Sequence, residues 1–120
     1  MIERIEEPMK KILIFKVEGT LHHEDYELVV IPEIEKTISQ EKRINIMWEM
    51  NDFHGWDARA VWDDLRLGLK INKNVDKIAM LGDKKWEEWI SKVLKHFAKG
   101  EIRYYKLDEE KNALAWLHAS

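Results

Sequence analysis

The side chains most able to do chemistry fall in a few short clusters of a 120-residue chain. His22-His23-Glu24-Asp25 concentrates metal-ligand types in one stretch. Adjacent histidines point in different directions on most backbones, however, and a metal needs ligands converging from separate segments. Glu24 and Asp25 at a helix start are equally explained as partners of the helix dipole and its free N–H groups. No metal site is assigned. Asp52, His54 and Asp57 surround Gly55 at the carboxyl end of a predicted strand, where ligands of open α/β sheets bind. A histidine between carboxylates could act as a general base, yet no nucleophile and no glycine-rich oxyanion device accompanies it. This trio is a polar loop candidate, with solvated loop polarity as the plain alternative. Asp63-Asp64 diverge by about 100° on a helix and cannot share one substrate as a catalytic dyad does. Gly82-Asp83 lacks both glycine-rich nucleotide patterns. With no cysteine there are no disulfides, thiolate nucleophiles or cysteine-based zinc sites. No catalytic residue and no cofactor is assigned, and the chain reads as non-enzymatic.

The elements that would position these groups follow from hydrophobic periodicity. Ile2 to Glu6 alternates weakly before the break at Glu7-Pro8, and Lys11 to Glu18 is a β-rich run ending at Gly19. Thr20 to Gln40 changes to a helical period through Tyr26, Val30, Ile31, Ile34 and Ile38, with a kink or restart expected at Pro32. Arg43 to Met50 is a strand, residues 51–55 a loop, and Trp56-Asp57 opens a helix reaching about Asn72. Val75 to Leu81 is a strand, Lys84 to Lys99 a helix, Glu101 to Leu107 a strand, and Asp108 caps a last helix. The order β-β-α-β-α-β-α-β-α implies crossover connections and a mainly parallel sheet. One domain over 1–120 is expected.

The bulk numbers agree with this fold class. A hydrophobic fraction of 45% beside a charged fraction of 36% describes a packed interior under a charged surface. The formal charge of −3, from 20 basic and 23 acidic residues, supplies no net basic field for nucleic acid. The N-terminal residues hold no signal-peptide run, and apolar stretches fall far short of the roughly 20 residues that span a bilayer. A cytoplasmic location is expected.

The second helix is the most informative element. Ala58, Val61, Trp62, Leu65 and Leu69 cluster on one side, expected to face the sheet. Trp56, Ala60, Leu67 and Ile71 form a second apolar stripe on the other. Either a neighbouring helix covers that stripe, or it is an exposed patch for a partner, a membrane surface or a ligand. The chain also carries six tryptophans. They fit either a Trp-rich core or the lining of a pocket, which adds Trp62, Trp86 and Trp89 to the candidate surface.

Several strings resemble the SpoIIAA-like family, relatives of the STAS domain. They are Gly19-x-Leu21-x-x-x-Asp25-Tyr26, Pro32-x-Ile34-Glu35, Asp52-Phe53-x-Gly55-Trp56, Trp62-Asp63-Asp64, Ile78-Ala79-Met80-Leu81-Gly82-Asp83-x-x-Trp86 and Ala115-Trp116-Leu117. The resemblance implies a bacterial STAS-like domain with a mixed, mostly parallel sheet and helices packed on one face. Its likeness to the CRAL-TRIO topology implies an apolar small molecule or lipid as ligand, with peripheral membrane contact. The alternative is a phosphorylation-independent protein-interaction module binding a protein partner or a second copy of the chain. STAS-type antagonists are switched through a serine after the third strand. Here residues 50–60 hold no hydroxyl, so that switch does not transfer, and Asp52 and Asp57 could at most imitate a permanent negative charge.

Overall fold

The computed structural model describes residues 2–71, 73–82 and 101–119. Five strands form one sheet in sequential order: β1 (Ile2–Ile5), β2 (Ile12–Leu21), β3 (Ile44–Trp56), β4 (Val75–Leu81) and β5 (Glu101–Tyr105). β1 runs antiparallel to β2, and the remaining neighbours are parallel. The short link through Glu7-Pro8 allows the antiparallel pair, whereas each parallel pair needs a longer crossover. The mixed, mostly parallel α/β sheet is as expected.

The first crossover is helical from His23 to Glu41 but is not one regular helix. A short α1 (His23–Asp25) passes into a π-helical turn (Tyr26–Val30) and then α2 (Ile31–Glu41). In the widened turn the Ile31 N–H donates to the Tyr26 carbonyl, five residues back. Pro32, which has no N–H to give, follows at once. The break expected at the proline is therefore taken up by a π turn, a feature that often marks functional segments. α3 (Ala58–Ile71) crosses from β3 to β4, and α4 (Glu110–His118) closes the described chain after a 3₁₀ turn (Leu107–Glu109). The helix expected over 84–99, with Trp86 and Trp89, lies outside the described residues.

Both faces of the sheet are covered. Leu13, Phe15, Val17, Ile46 and Trp48 pack with Tyr26, Val30, Ile34, Ala60, Leu67 and Ile71 in one cluster. Ile12, Ile14, Met47, Ala79 and Leu81 pack with Ala113 and Leu117 in the other. The expectation that the helices share one face therefore fails at α4, although the fold class stands. The uninterrupted run Ile12-Leu13-Ile14-Phe15 carries the reason, because a strand apolar at both parities must be buried on both sides.

The expected loop over 51–55 is also corrected. β3 continues through it to Trp56, pairing with the end of β2. Asn51 pairs with Glu18, Phe53 with Gly19 and Gly55 with Thr20, so Asp52 and His54 are the unpaired extra residues of successive bulges. Positive φ at Gly19 (72°), Asp52 (47°) and Gly55 (108°) makes these bends. Glycine meets no Cβ penalty there.

Candidate functional site

The polar groups that the fold brings together sit where α1 and the π turn meet α3. Asp57 ends the β3 extension and caps α3: its Oδ1 accepts from the Ala60 N–H at 2.8 Å. Its Oδ2 lies 3.0 Å from His22 Nδ1 and accepts from the His23 N–H at 3.4 Å. The Ala60 N–H bond, reinforced by His22 and the His23 backbone, holds the Asp57 carboxyl below its usual range despite partial desolvation. Across the same turn the His22 N–H donates to Asp25 Oδ2 at 2.8 Å. The His22 and His23 backbone N–H groups are thus taken up by Asp25 and Asp57 at the two helix starts. Among the described residues no group of three or more His, Asp or Glu is arranged to hold a metal ion.

One turn further along α3, adjacent carboxylates reach different partners on the first crossover. Asp63 Oδ2 lies 2.6 Å from His23 Nδ1. His23 Nε2 faces Glu27 Oε2 at 3.0 Å and an Arg59 guanidinium nitrogen at 3.2 Å. The carboxylate requires a proton on Nε2 and the guanidinium a lone pair there, so this ring is a point of choice between two partners. Asp64 Oδ1 accepts from the Tyr26 hydroxyl at 2.8 Å, and that hydroxyl accepts from Trp56 Nε1 at 2.9 Å. Tyr26 is fully buried, with its ring 6.5 Å from that of Trp48, which in turn stacks on Phe15 at 5.1 Å.

Burial dominates the electrostatics of this chain of bonds. Desolvation pushes the Asp64 carboxyl up to about 6, opposed by the Tyr26 hydrogen bond and aided by the charge of Asp63. Desolvation also raises the Tyr26 hydroxyl well above its ordinary value, and the Asp64 charge adds to the effect. A phenol so held keeps its proton and is neither nucleophile nor base. The Trp56–Tyr26–Asp64 chain fastens two helices, and its bonds leave no reacting position in view.

The residues expected to form a polar loop do not assemble. Asp52 Oδ2 and His54 Nε2 are 3.5 Å apart on the bulged strand, with side chains 90% and 61% exposed, while Asp57 is committed to α3 and His22. The stripe expected to be a ligand or partner surface is reversed in orientation. Ala60, Leu67 and Ile71 belong to the core, and Trp56 packs against it, edge-on to Phe53 at 4.9 Å. Of the side expected to face the sheet, Ala58 is exposed, while Trp62 and Leu69 are 63% and 59% exposed. The Leu65 side chain, like Trp86 and Trp89, lies outside the described residues.

α3 turns this way because residues 60, 64, 67 and 71 share one face. Asp64, bonded to Tyr26, is the polar member of that buried stripe. Sequence reasoning missed the Trp56–Tyr26–Asp64 chain, although one signal was present: an aspartate in register with Ala60 and Leu67, opposite a helix carrying a tyrosine. What remains outside on α3 is cationic and apolar, with Arg59, Trp62, Arg66, Leu69 and Lys70 all exposed. Lys70 Nζ donates to Glu35 Oε1 on α2 at 2.7 Å.

Among the described residues no helix is long and apolar enough to cross a membrane. A family model described as SpoIIAA-like matches residues 12–118. The chain is similar to a crystal structure of an uncharacterised protein of the DUF3478 family from Shewanella loihica PV-4, which has a SpoIIAA-like fold. Identity is 32%, with 98% of this chain and 92% of that one covered and a TM-score of 0.78. It shares its fold with the anti-sigma factor antagonist SpoIIAA in its unphosphorylated form, at 14% identity over 96% and 98% of the two chains and a TM-score of 0.63. No curated protein matches.

Proposed function

The chain belongs to the SpoIIAA-like family, and from that premise we propose that it is a non-enzymatic, cytoplasmic protein-interaction module whose contact surface is the outer face of α3. The observation that carries this reading is the exposure of Trp62 and Leu69 on a helix held in place by Asp63 and Asp64 on its opposite flank. A tryptophan left in water beside arginines has the composition of interface hot spots, and Leu69 extends the apolar surface next to it. SpoIIAA, an anti-sigma factor antagonist, is a precedent on this fold for a role defined by another protein. Phosphorylation has no acceptor in residues 50–60, and Asp57 stands as a permanent anion at the start of α3, so the module works by surface complementarity alone.

The second reading, an apolar small molecule or lipid as ligand, comes from the likeness to the CRAL-TRIO topology and the six tryptophans, with the stripe of Trp56, Ala60, Leu67 and Ile71 as its candidate surface. With three of those four buried in the core, the surface left for it on α3 is the same exposed Trp62 and Leu69, now as a peripheral membrane contact. Site-specific photo-crosslinking in the host separates the two. A benzophenone amino acid at position 62 should give a discrete protein adduct that disappears with Leu69→Asp. The same probe at exposed Lys111 on α4 should give none. Adducts with lipid alone, or equal adducts at both positions, would overturn the interaction-module reading.

A further inference from the structure

Resting on the interaction-module reading, we infer that the partner presents an acidic amphipathic helix to the seam formed by Arg59, Trp62, Arg66 and Leu69. These residues recur at steps of three, four and three, the spacing of a helix face that meets another helix along one narrow line. All four are exposed. Charge has been sorted across α3: its two acidic residues are turned inward, Asp63 to His23 with only 11% of its side chain exposed and Asp64 to Tyr26. Its outer face is therefore cationic and apolar on a chain whose formal charge is −3. An occupant with apolar residues on one stripe and carboxylates beside it matches both properties.

The neighbouring surface decides between a helix and a flat anionic membrane. Glu27, whose side chain is 63% exposed, and Glu24 lie on the crossover packed beside α3. A sheet of anionic headgroups would lie across these carboxylates as well as the seam. A helix about 10 Å wide can lie along the Trp62–Leu69 end of the seam without covering the whole crossover.

The test uses the full chain and three fluorescein-labelled synthetic helices read by anisotropy. One has leucines at heptad spacing flanked by glutamates, one replaces the glutamates by lysines, and one scrambles the acidic sequence. The acidic helix should bind saturably and at least tenfold tighter than either control, weakening as salt rises. Trp62→Ala and Arg66→Glu should each cost at least tenfold in affinity with unchanged thermal melts. Equal binding of the acidic and scrambled peptides would overturn the inference, as would stronger attachment to phosphatidylglycerol vesicles that these two variants abolish. A protein adduct at position 62 combined with failure of the acidic helix would reject this partner class and leave the interaction module standing.

Discussion

Asp64 is the residue on which the arrangement of the first crossover and α3 turns, and its ionisation gives a measurable signature. Burial lifts its carboxyl from 3.8 to about 6. A carboxyl raised in this way holds its proton more tightly in the folded chain than in the unfolded one. Its contribution to stability is therefore greatest below about 4 and is lost as the pH rises through about 6, a span worth roughly 3 kcal/mol in total. Asp64→Asn keeps an acceptor for the Tyr26 hydroxyl and removes the titration. Urea unfolding at pH 5.0 and 7.5 should show wild type gaining on the order of 1 kcal/mol relative to this variant at the lower pH. Identical pH dependence in both proteins would show that Asp64 is hydrated in the folded state. Tyr26→Phe removes the donor and leaves a buried carboxylate without it, which should cost about 1–3 kcal/mol at pH 7.5. That loss should shrink towards pH 5, where the carboxyl is protonated. A loss of the same size at both pH values would mean that Tyr26 contributes packing and little else.

At the scale of elements, α3 carries the clearest expectation. Leu67 and Ile71 are 6% and 8% exposed, so Leu67→Glu and Ile71→Glu each place an unpaired charge in the core and should cost several kcal/mol, enough to unfold much of the protein. Trp62→Glu and Leu69→Glu alter exposed positions and should leave the melting temperature within a few degrees of wild type. Comparable destabilisation at all four sites would show that the outer face is covered too. The same helix shows where the sequence was legible and where it was not. Its span, its cap at Asp57 and its amphipathic period could be read, and so could the strands, the sheet's mixed sense and the family. Its rotation could not, because both sides are apolar and a carboxylate in the stripe of Ala60, Leu67 and Ile71 reads as a mark of solvent. That mark misleads when a tyrosine 38 residues away in sequence, though adjacent in the fold, supplies the hydrogen bond. The bulged extension of β3 was illegible for a related reason: Asn51, Asp52, His54 and Gly55 have loop composition, and only pairing with the end of β2 makes them a strand. The Pro32 break was legible as a break, but nothing local in the sequence specifies a π turn over a kink, since its widened bond runs from Ile31 to Tyr26 ahead of the proline.

For the whole molecule, the second covered face makes α4 a structural necessity. It buries Ala113 and Leu117 over Ile12, Ile14, Met47, Ala79 and Leu81, an apolar layer that would otherwise stand in water. Polar bonds fasten its C-terminal end to the sheet: Asn45 Nδ2 donates to the Leu117 carbonyl at 2.8 Å, and Lys77 Nζ donates to the carbonyls of Trp116 and Ala119, each at 2.7 Å. Cations at the C-terminus of a helix also oppose the negative end of its dipole. The Arg103 guanidinium lies 4.6 Å from the Trp116 ring centroid, adding a cation over an aromatic face. Packing and polar fastening can be weighed by two substitutions. Leu117 has no exposed surface, so Leu117→Ala leaves a cavity and should cost about 2–5 kcal/mol. Asn45→Ala removes the bond to Leu117, but it also removes a buried Oδ1 that has no hydrogen-bond partner among the described residues. Those effects oppose one another, so its cost should stay below about 1.5 kcal/mol. Urea denaturation of the two variants, compared with wild type at one pH, measures the order directly. If Asn45→Ala proves the more damaging, the polar fastening and not the apolar layer holds α4 to the sheet.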